Sequence, residues 1–183
     1  VAVADIKNIN TNFGKQYPDV NFYANYMAMV ESSKLDFVSI CTPTPTHLEI
    51  LSNIAAIKSI KGIFLEKPVG KNYIESVQIN QICIKNNIVL LSNYMRRWDY
   101  KYNYVNNVIS TNSLGKLQTI IAIGNTSLLT SASHLIDLML MFGKDIDWIV
   151  GDLQEDYIRN VDGMEDHGGT AMIKFKSGSC GFL

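Results

Sequence analysis

Glu66-Lys67-Pro68 carries the sharpest chemical signal in the chain. It closes the β-type run Gly62–Leu65, so a lysine sits at a strand's carboxyl end beside a carboxylate, on backbone that the proline stiffens. A lysine in that place can shuttle a proton to a bound substrate, or it can belong to an exposed, salt-bridged turn. Cys41-Thr42-Pro43-Thr44-Pro45-Thr46-His47 also follows a strand directly. There His47 either touches a ligand or simply starts a helix. Arg96-Arg97 follows the run IVLLSNY and can hold an anionic or hydroxyl-rich ligand, or solvate a linker. His134 and Asp137 stand three residues apart on an amphipathic pattern, Ser131–Phe142. No third ligand at metal spacing accompanies them, so we expect no metal, and a core-facing polar pair remains the alternative. His167 falls in the glycine-bearing stretch Asp162–Gly169, which reads as a loop.

These residues need strands and helices to position them. Val1–Ala4 reads as a buried strand ending at Asp5, followed by a helix over Ile6–Gln16 and a short strand at Val20–Tyr23. A helix is predicted over Tyr26–Ser33, and Asp36–Cys41 reads as a strand stopped by the Pro43 and Pro45 turn. Thr46–Ile57 has Leu48, Leu51, Ile54 and Ala55 at helical spacing, with Thr46 as the N-cap. Gly62–Leu65 is a strand, Asn72–Asn86 a helix and Ile88–Leu91 a strand. Strand–helix–strand alternation at this pace implies βαβ units and a parallel sheet.

After Asn93 the pattern changes. Tyr100–Ser110 is helical, Gly115 marks a turn, and Leu117–Ile123 is a long β-branched run. The helix Ser131–Phe142 follows, then strands at Asp147–Gly151 and Thr170–Phe175 and the turn Lys176-Ser177-Gly178. The fold class is therefore an α/β parallel sheet over residues 1–95, followed by an α+β domain with an antiparallel sheet over 96–183. Both ends fall inside apolar runs, Val1–Ala4 and Gly181–Leu183, so we expect a piece of something longer.

In an open parallel sheet, ligands bind beyond the carboxyl ends of the strands. An acidic residue ending a strand of such a series, as Asp5 does, accepts hydrogen bonds from the adenosine ribose of a dinucleotide; it can equally be an ordinary strand-end carboxylate. The glycine-rich phosphate loop expected about 20 residues earlier is not in this sequence. With 16 Lys+Arg against 17 Asp+Glu in 183 residues, the net charge is −1. That balance removes the electrostatic case for nucleic acid or an anionic membrane surface. The longest apolar stretch, Leu135–Phe142, is too short to span a bilayer and contains Asp137. No signal peptide is visible. Cys41, Cys83 and Cys180 are odd in number and form no C-x-x-C pattern, which fits buried small side chains in a reducing cytoplasm.

Strand–Asp5, DFVSICTPTPTHLEI, GIFLEKPVGKN, NYMRRWD and SASHLIDLMLMFG, in this order, resemble the glucose-fructose oxidoreductase/inositol dehydrogenase/MocA family of nicotinamide-dependent oxidoreductases. The resemblance runs from Val1 to about Gly143. It implies an N-terminal Rossmann domain and a second domain whose sheet often packs against a partner's in dimers or tetramers. It also implies that Asp5 binds the adenosine ribose and favours NAD over NADP, since no Arg follows it. Thr42, Pro43 and His47 would line the cofactor crevice. Glu66 and Lys67 would flank the nicotinamide, with Lys67 the catalytic lysine, and Arg97 would reach the cofactor. His134 would be the general acid/base or hold a substrate hydroxyl. The implied reaction is hydride transfer between nicotinamide and a carbinol of a sugar, cyclitol or nucleotide-sugar, in the cytoplasm, by a homodimer or homotetramer. Many members carry an Asp four residues before the histidine, where this chain has Thr130. A sensor that kept the fold but lost turnover, or an inactive fragment, is the competing reading.

Overall fold

The computed structural model describes residues 1–7, 16–125 and 127–183. The helix expected over Ile6–Gln16 falls largely on residues outside that set. Strands β1 (Ala2–Ala4) and β2 (Asn21–Tyr23) form a parallel pair. Helix α1 (Tyr26–Ser32) follows, its amino end capped by Asn25, whose side chain accepts from the amides of Met27 and Ala28. Strands β3 (Phe37–Ile40), β4 (Gly62–Leu65) and β5 (Val89–Ser92) form a second parallel sheet in that order. Helices α2 (His47–Ala55) and α3 (Tyr73–Lys85) are its crossovers.

Alternate side chains of β3 and β4 explain the packing. Val38, Ile40, Ile63 and Leu65 point to one face and are buried with Leu51, Ile54, Ile79 and Cys83 of the two crossover helices. Full burial of each such side chain contributes about 1.5–3 kcal/mol, so this core fixes the register of the sheet. Asn72 caps α3, its side chain accepting from Glu75 N at 3.0 Å. Thr46, expected to cap α2, does not. Its hydroxyl bonds back to Thr42 Oγ1 and Pro43 O, both at 2.7 Å, because residues 44–46 form a short 3₁₀ turn that is continuous with the helix.

Past Met95–Trp98, another short 3₁₀ turn, lie α4 (Tyr100–Ser110), β6 (Thr119–Ile121), a π-helical turn (Leu128–Ala132) and α5 (Ser133–Gly143). A four-stranded sheet ordered β6-β9-β8-β7 completes the described chain, with β7 (Ile146–Val161), β8 (Met164–Phe175) and β9 (Cys180–Phe182). Its β7–β8 and β8–β9 pairs are antiparallel and β6–β9 is parallel. The α5 helix packs Met139 onto Ile173 and Phe175, a second apolar cluster separate from the first.

The stretch Asp162–Gly169, expected as a loop, is mostly strand. Only Asp162 and Gly163 turn, with φ of 53° and 81°, the left-handed pair that suits a two-residue hairpin. From Met164 onward the chain pairs with β7, including Arg159 opposite Asp166 and Ile158 opposite His167.

Candidate active site

Four of the sequence-predicted positions follow the carboxyl ends of parallel strands: Asp5 after β1, Thr42 after β3, and Glu66-Lys67 after β4. Asp5 is exposed, and its carboxylate accepts from Lys7 N at 2.7 Å. Thr42 and Pro43 are exposed on the turn beyond β3. Glu66 is held from the neighbouring strand end, where Asn93 Nδ2 donates to its Oε1 at 2.7 Å.

Lys67 is half-buried and crosses to the second half of the chain. Its Nζ donates to Thr130 O at 2.6 Å. Thr130 lies in the π-helical turn that runs directly into α5, and His134 occupies the first turn of that helix. His134 Nδ1 is buried and, among the described residues, has no hydrogen-bond partner. Tyr94 meets the imidazole edge-on at 6.0 Å between ring centres. Burial pushes the His134 pKa below the ordinary histidine value, and the Lys67 and Arg96 cations push the same way against the weaker pull of Asp137 and Glu66. A neutral imidazole thus stands within the field of the Lys67 ammonium, poised to accept a proton.

Two expectations about ligand contact meet a different arrangement. His47 is fully buried, and both ring nitrogens face backbone carbonyls, Val69 O at 3.2 Å and Thr42 O at 2.9 Å. It ties the turn after β3 to the one after β4, so its polar atoms are used in shaping the crevice rather than lining it. Arg97 turns its guanidinium onto Asp137, with Nε 2.8 and 2.9 Å from the two carboxylate oxygens. Asp137 is buried, and an arginine is what satisfies a buried carboxylate. The pair links the 3₁₀ turn after β5 to α5. Among the described residues no three His, Cys, Asp or Glu side chains gather as a metal site.

Asp166 was missed by sequence reasoning. It is 1% exposed on β8, and its carboxylate accepts from Leu129 N at 2.7 Å, Thr130 N at 2.9 Å and Thr130 Oγ1 at 2.6 Å. The signal that locates it is Asp162-Gly163, a hairpin dipeptide that places the next residues in a strand rather than a loop.

The model of an oxidoreductase family with an NAD-binding Rossmann fold, GFO_IDH_MocA, matches residues 1–94. The chain belongs to this family. Myo-inositol 2-dehydrogenase of Thermotoga maritima is 27% identical over 94 residues, which are 51% of this chain and 28% of that protein. The crystal structure of myo-inositol 2-dehydrogenase from Lactobacillus plantarum superposes on 100% of the chain with a TM-score of 0.78 at 22% identity, using 60% of its own length. The WlbA dehydrogenase of Chromobacterium violaceum, solved with NADH and UDP-GlcNAcA, superposes on 100% of the chain with a TM-score of 0.79 at 16% identity, using 57% of its length. This member of the family thus spans less than two thirds of the relatives it matches, and likeness at such identities is a likeness of fold. Both halves of the chain share it.

Proposed function

We propose that the protein is a nicotinamide-dependent oxidoreductase that transfers a hydride to or from a carbinol carbon of a sugar, cyclitol or nucleotide-sugar. One observation carries this reading. A lysine at a strand's carboxyl end is bonded to Thr130 O, four residues before a half-buried, neutral His134 whose pKa its charge helps to lower. The dehydrogenases among its relatives support this substrate class.

The residues at hand fit the two ends of a dinucleotide. Asp5 offers an exposed carboxylate beyond β1 for ribose hydroxyls, and we take it to favour NAD over NADP. Thr42 and Pro43 line the crevice, with His47 bracing it from beneath. Glu66, anchored by Asn93, and Lys67 flank the nicotinamide end. Arg97 contributes by fixing α5 rather than by reaching the cofactor. When bound, the cofactor supplies or accepts the hydride. Lys67 Nζ holds the substrate oxygen, and neutral His134 takes the proton leaving the hydroxyl, or returns it in the reverse direction. Thr130 leaves no carboxylate four residues before His134, and Asp166 brings one to the Thr130 hydroxyl from β8 instead.

We read the two apolar clusters as two domains that meet near residues 95–96. We assign the protein to the cytoplasm as a homodimer or homotetramer. Trp148, Ile149, Val150 and Leu153 on β7 are exposed apolar side chains suited to a second copy. Among the described residues no helix is long and apolar enough to cross a membrane.

The test is a titration with NADH and NADPH, followed by a panel of cyclitols, sugars and nucleotide-sugars read by nicotinamide absorbance. NADH binding with turnover of one class is expected. Binding without turnover on any of them would favour the sensor reading, and no binding of either nucleotide would refute both.

A further inference from the structure

Asp166 is a carboxylate almost sealed from water, yet it belongs to no ion pair within the salt-bridge distance among the described residues. Burial by itself raises a carboxyl's pKa. Here the opposing bonds from the Thr130 hydroxyl, from the Leu129 and Thr130 amides and from Ser127 prevail and hold it below the ordinary carboxylate range. The group is therefore an anion at neutral pH. A buried anion is costly unless it is satisfied, and all of its contacts fall on one turn.

That turn is unusual. Residues 128–132 are π-helical, and Ala132 N reaches back to Ser127 O at 2.9 Å. At the start of a helical segment the first amides lack intrahelical acceptors, and Asp166 takes those of residues 129 and 130. The carbonyl of Thr130 then accepts Lys67 Nζ at 2.6 Å and the Ser133 hydroxyl at 3.2 Å. A continuous path follows: the Asp166 anion, the Thr130 amide and hydroxyl, the Thr130 carbonyl, the Lys67 ammonium. The Thr130 amide and carbonyl belong to different peptide units, so the link works by fixing the position of the Thr130 backbone. The same turn sets the start of α5, and so the place of His134.

We infer that Asp166 is a positioning residue for Lys67 and His134, acting through the Leu128–Ala132 turn to aim the Thr130 carbonyl at the lysine. This rests on the roles proposed above for those two residues. Asp166 touches neither substrate nor cofactor in this account.

Asp166→Asn and Thr130→Val in the full-length protein test it, with Thr130→Ser as the variant that keeps the hydroxyl. Two readouts are needed: kcat and KM of the turnover reaction, and the NMR titration of the His134 imidazole in protein without cofactor. The groups facing that imidazole are Lys67, Arg96, Asp137, Glu66 and the Tyr94 ring. We expect Asp166→Asn and Thr130→Val to lower kcat about 10- to 100-fold with NADH affinity little changed. The His134 midpoint should move up toward the unperturbed value of about 6.5 as the imidazole gains water and the lysine is released. Thr130→Ser should restore both. If Asp166→Asn does not fold, the Thr130 pair decides the matter. A folded Thr130→Val protein with wild-type kcat and an unmoved His134 midpoint would overturn the inference, even if its melting temperature fell. A wild-type protein without turnover would instead refute the proposed function, and the His134 titration would still decide whether Asp166 acts on this pair.

Discussion

Lys67 Nζ donates to Thr130 O at 2.6 Å, so the end of β4 is tied to the turn that begins the helix carrying His134. Strand β4 is the middle strand of its parallel sheet. In the role proposed for it, Lys67 would hold a substrate between the end of β4 and the amino end of α5, where a positive dipole helps a developing negative oxygen.

The depressed pKa of His134 makes stability depend on pH in a defined direction. Between the lowered folded value and about 6.5, the unfolded chain binds more protons than the folded one, so stability rises with pH across that window. The contribution is fully present above the unfolded value and is lost as pH falls. Urea midpoints measured from pH 5 to 8 should show this rise, and His134→Asn should flatten it.

Asp166 adds a second window at lower pH. Its carboxyl is held below the ordinary range, so its contribution is present above about 3.9 and disappears as pH falls through the folded value. Acid unfolding followed by circular dichroism should begin at higher pH in Asp166→Asn than in the wild type.

The Arg97–Asp137 pair, in which Nε is shared between both carboxylate oxygens, predicts an asymmetric response. Arg97→Met leaves a buried carboxylate unpaired and should cost about 1–3 kcal/mol, less than for a fully buried pair because the Arg97 side chain is 43% exposed. Adding Asp137→Leu should recover much of that loss. Chemical denaturation of the two variants checks both parts.

Gly143 ends α5 against the second core. A Cβ there would lie 2.5 Å from the ring of Phe175, which is 1% exposed. Gly143→Ala should therefore destabilise by about 1–3 kcal/mol through overpacking. Thermal melting should show a lowered midpoint.

Much of the first half could be read from sequence because its strands are buried on a repeating plan. GIFL is a continuous apolar run and DFVSIC a β-rich one broken only by Ser39 after Asp36, both set between helical patterns, and they are neighbours in one parallel sheet. Lys67 stood out by its place at a strand's end, whereas the role proposed for His134 came from the family resemblance and not from its position. His47 and Arg97 were legible as polar residues near the crevice. Their partners were not, since Val69 O and Asp137 come from distant segments that no local pattern joins to them. Asp166 was hidden for a different reason. Gly168 and Gly169 look like loop residues, yet in β8 they permit close approach: a Cβ on Gly169 would meet Leu128 of the π-helical turn at 2.8 Å. The small residues that suggest a loop are what lets the strand carry Asp166 up to that turn.

The role of Lys67 is the centre of this account, and Lys67→Ala tests it most directly. Turnover and NADH affinity should be measured side by side on the wild-type and variant proteins. The account predicts that kcat falls at least about 100-fold while the NADH dissociation constant changes by less than about threefold, under 0.7 kcal/mol. A variant that keeps wild-type turnover would contradict it.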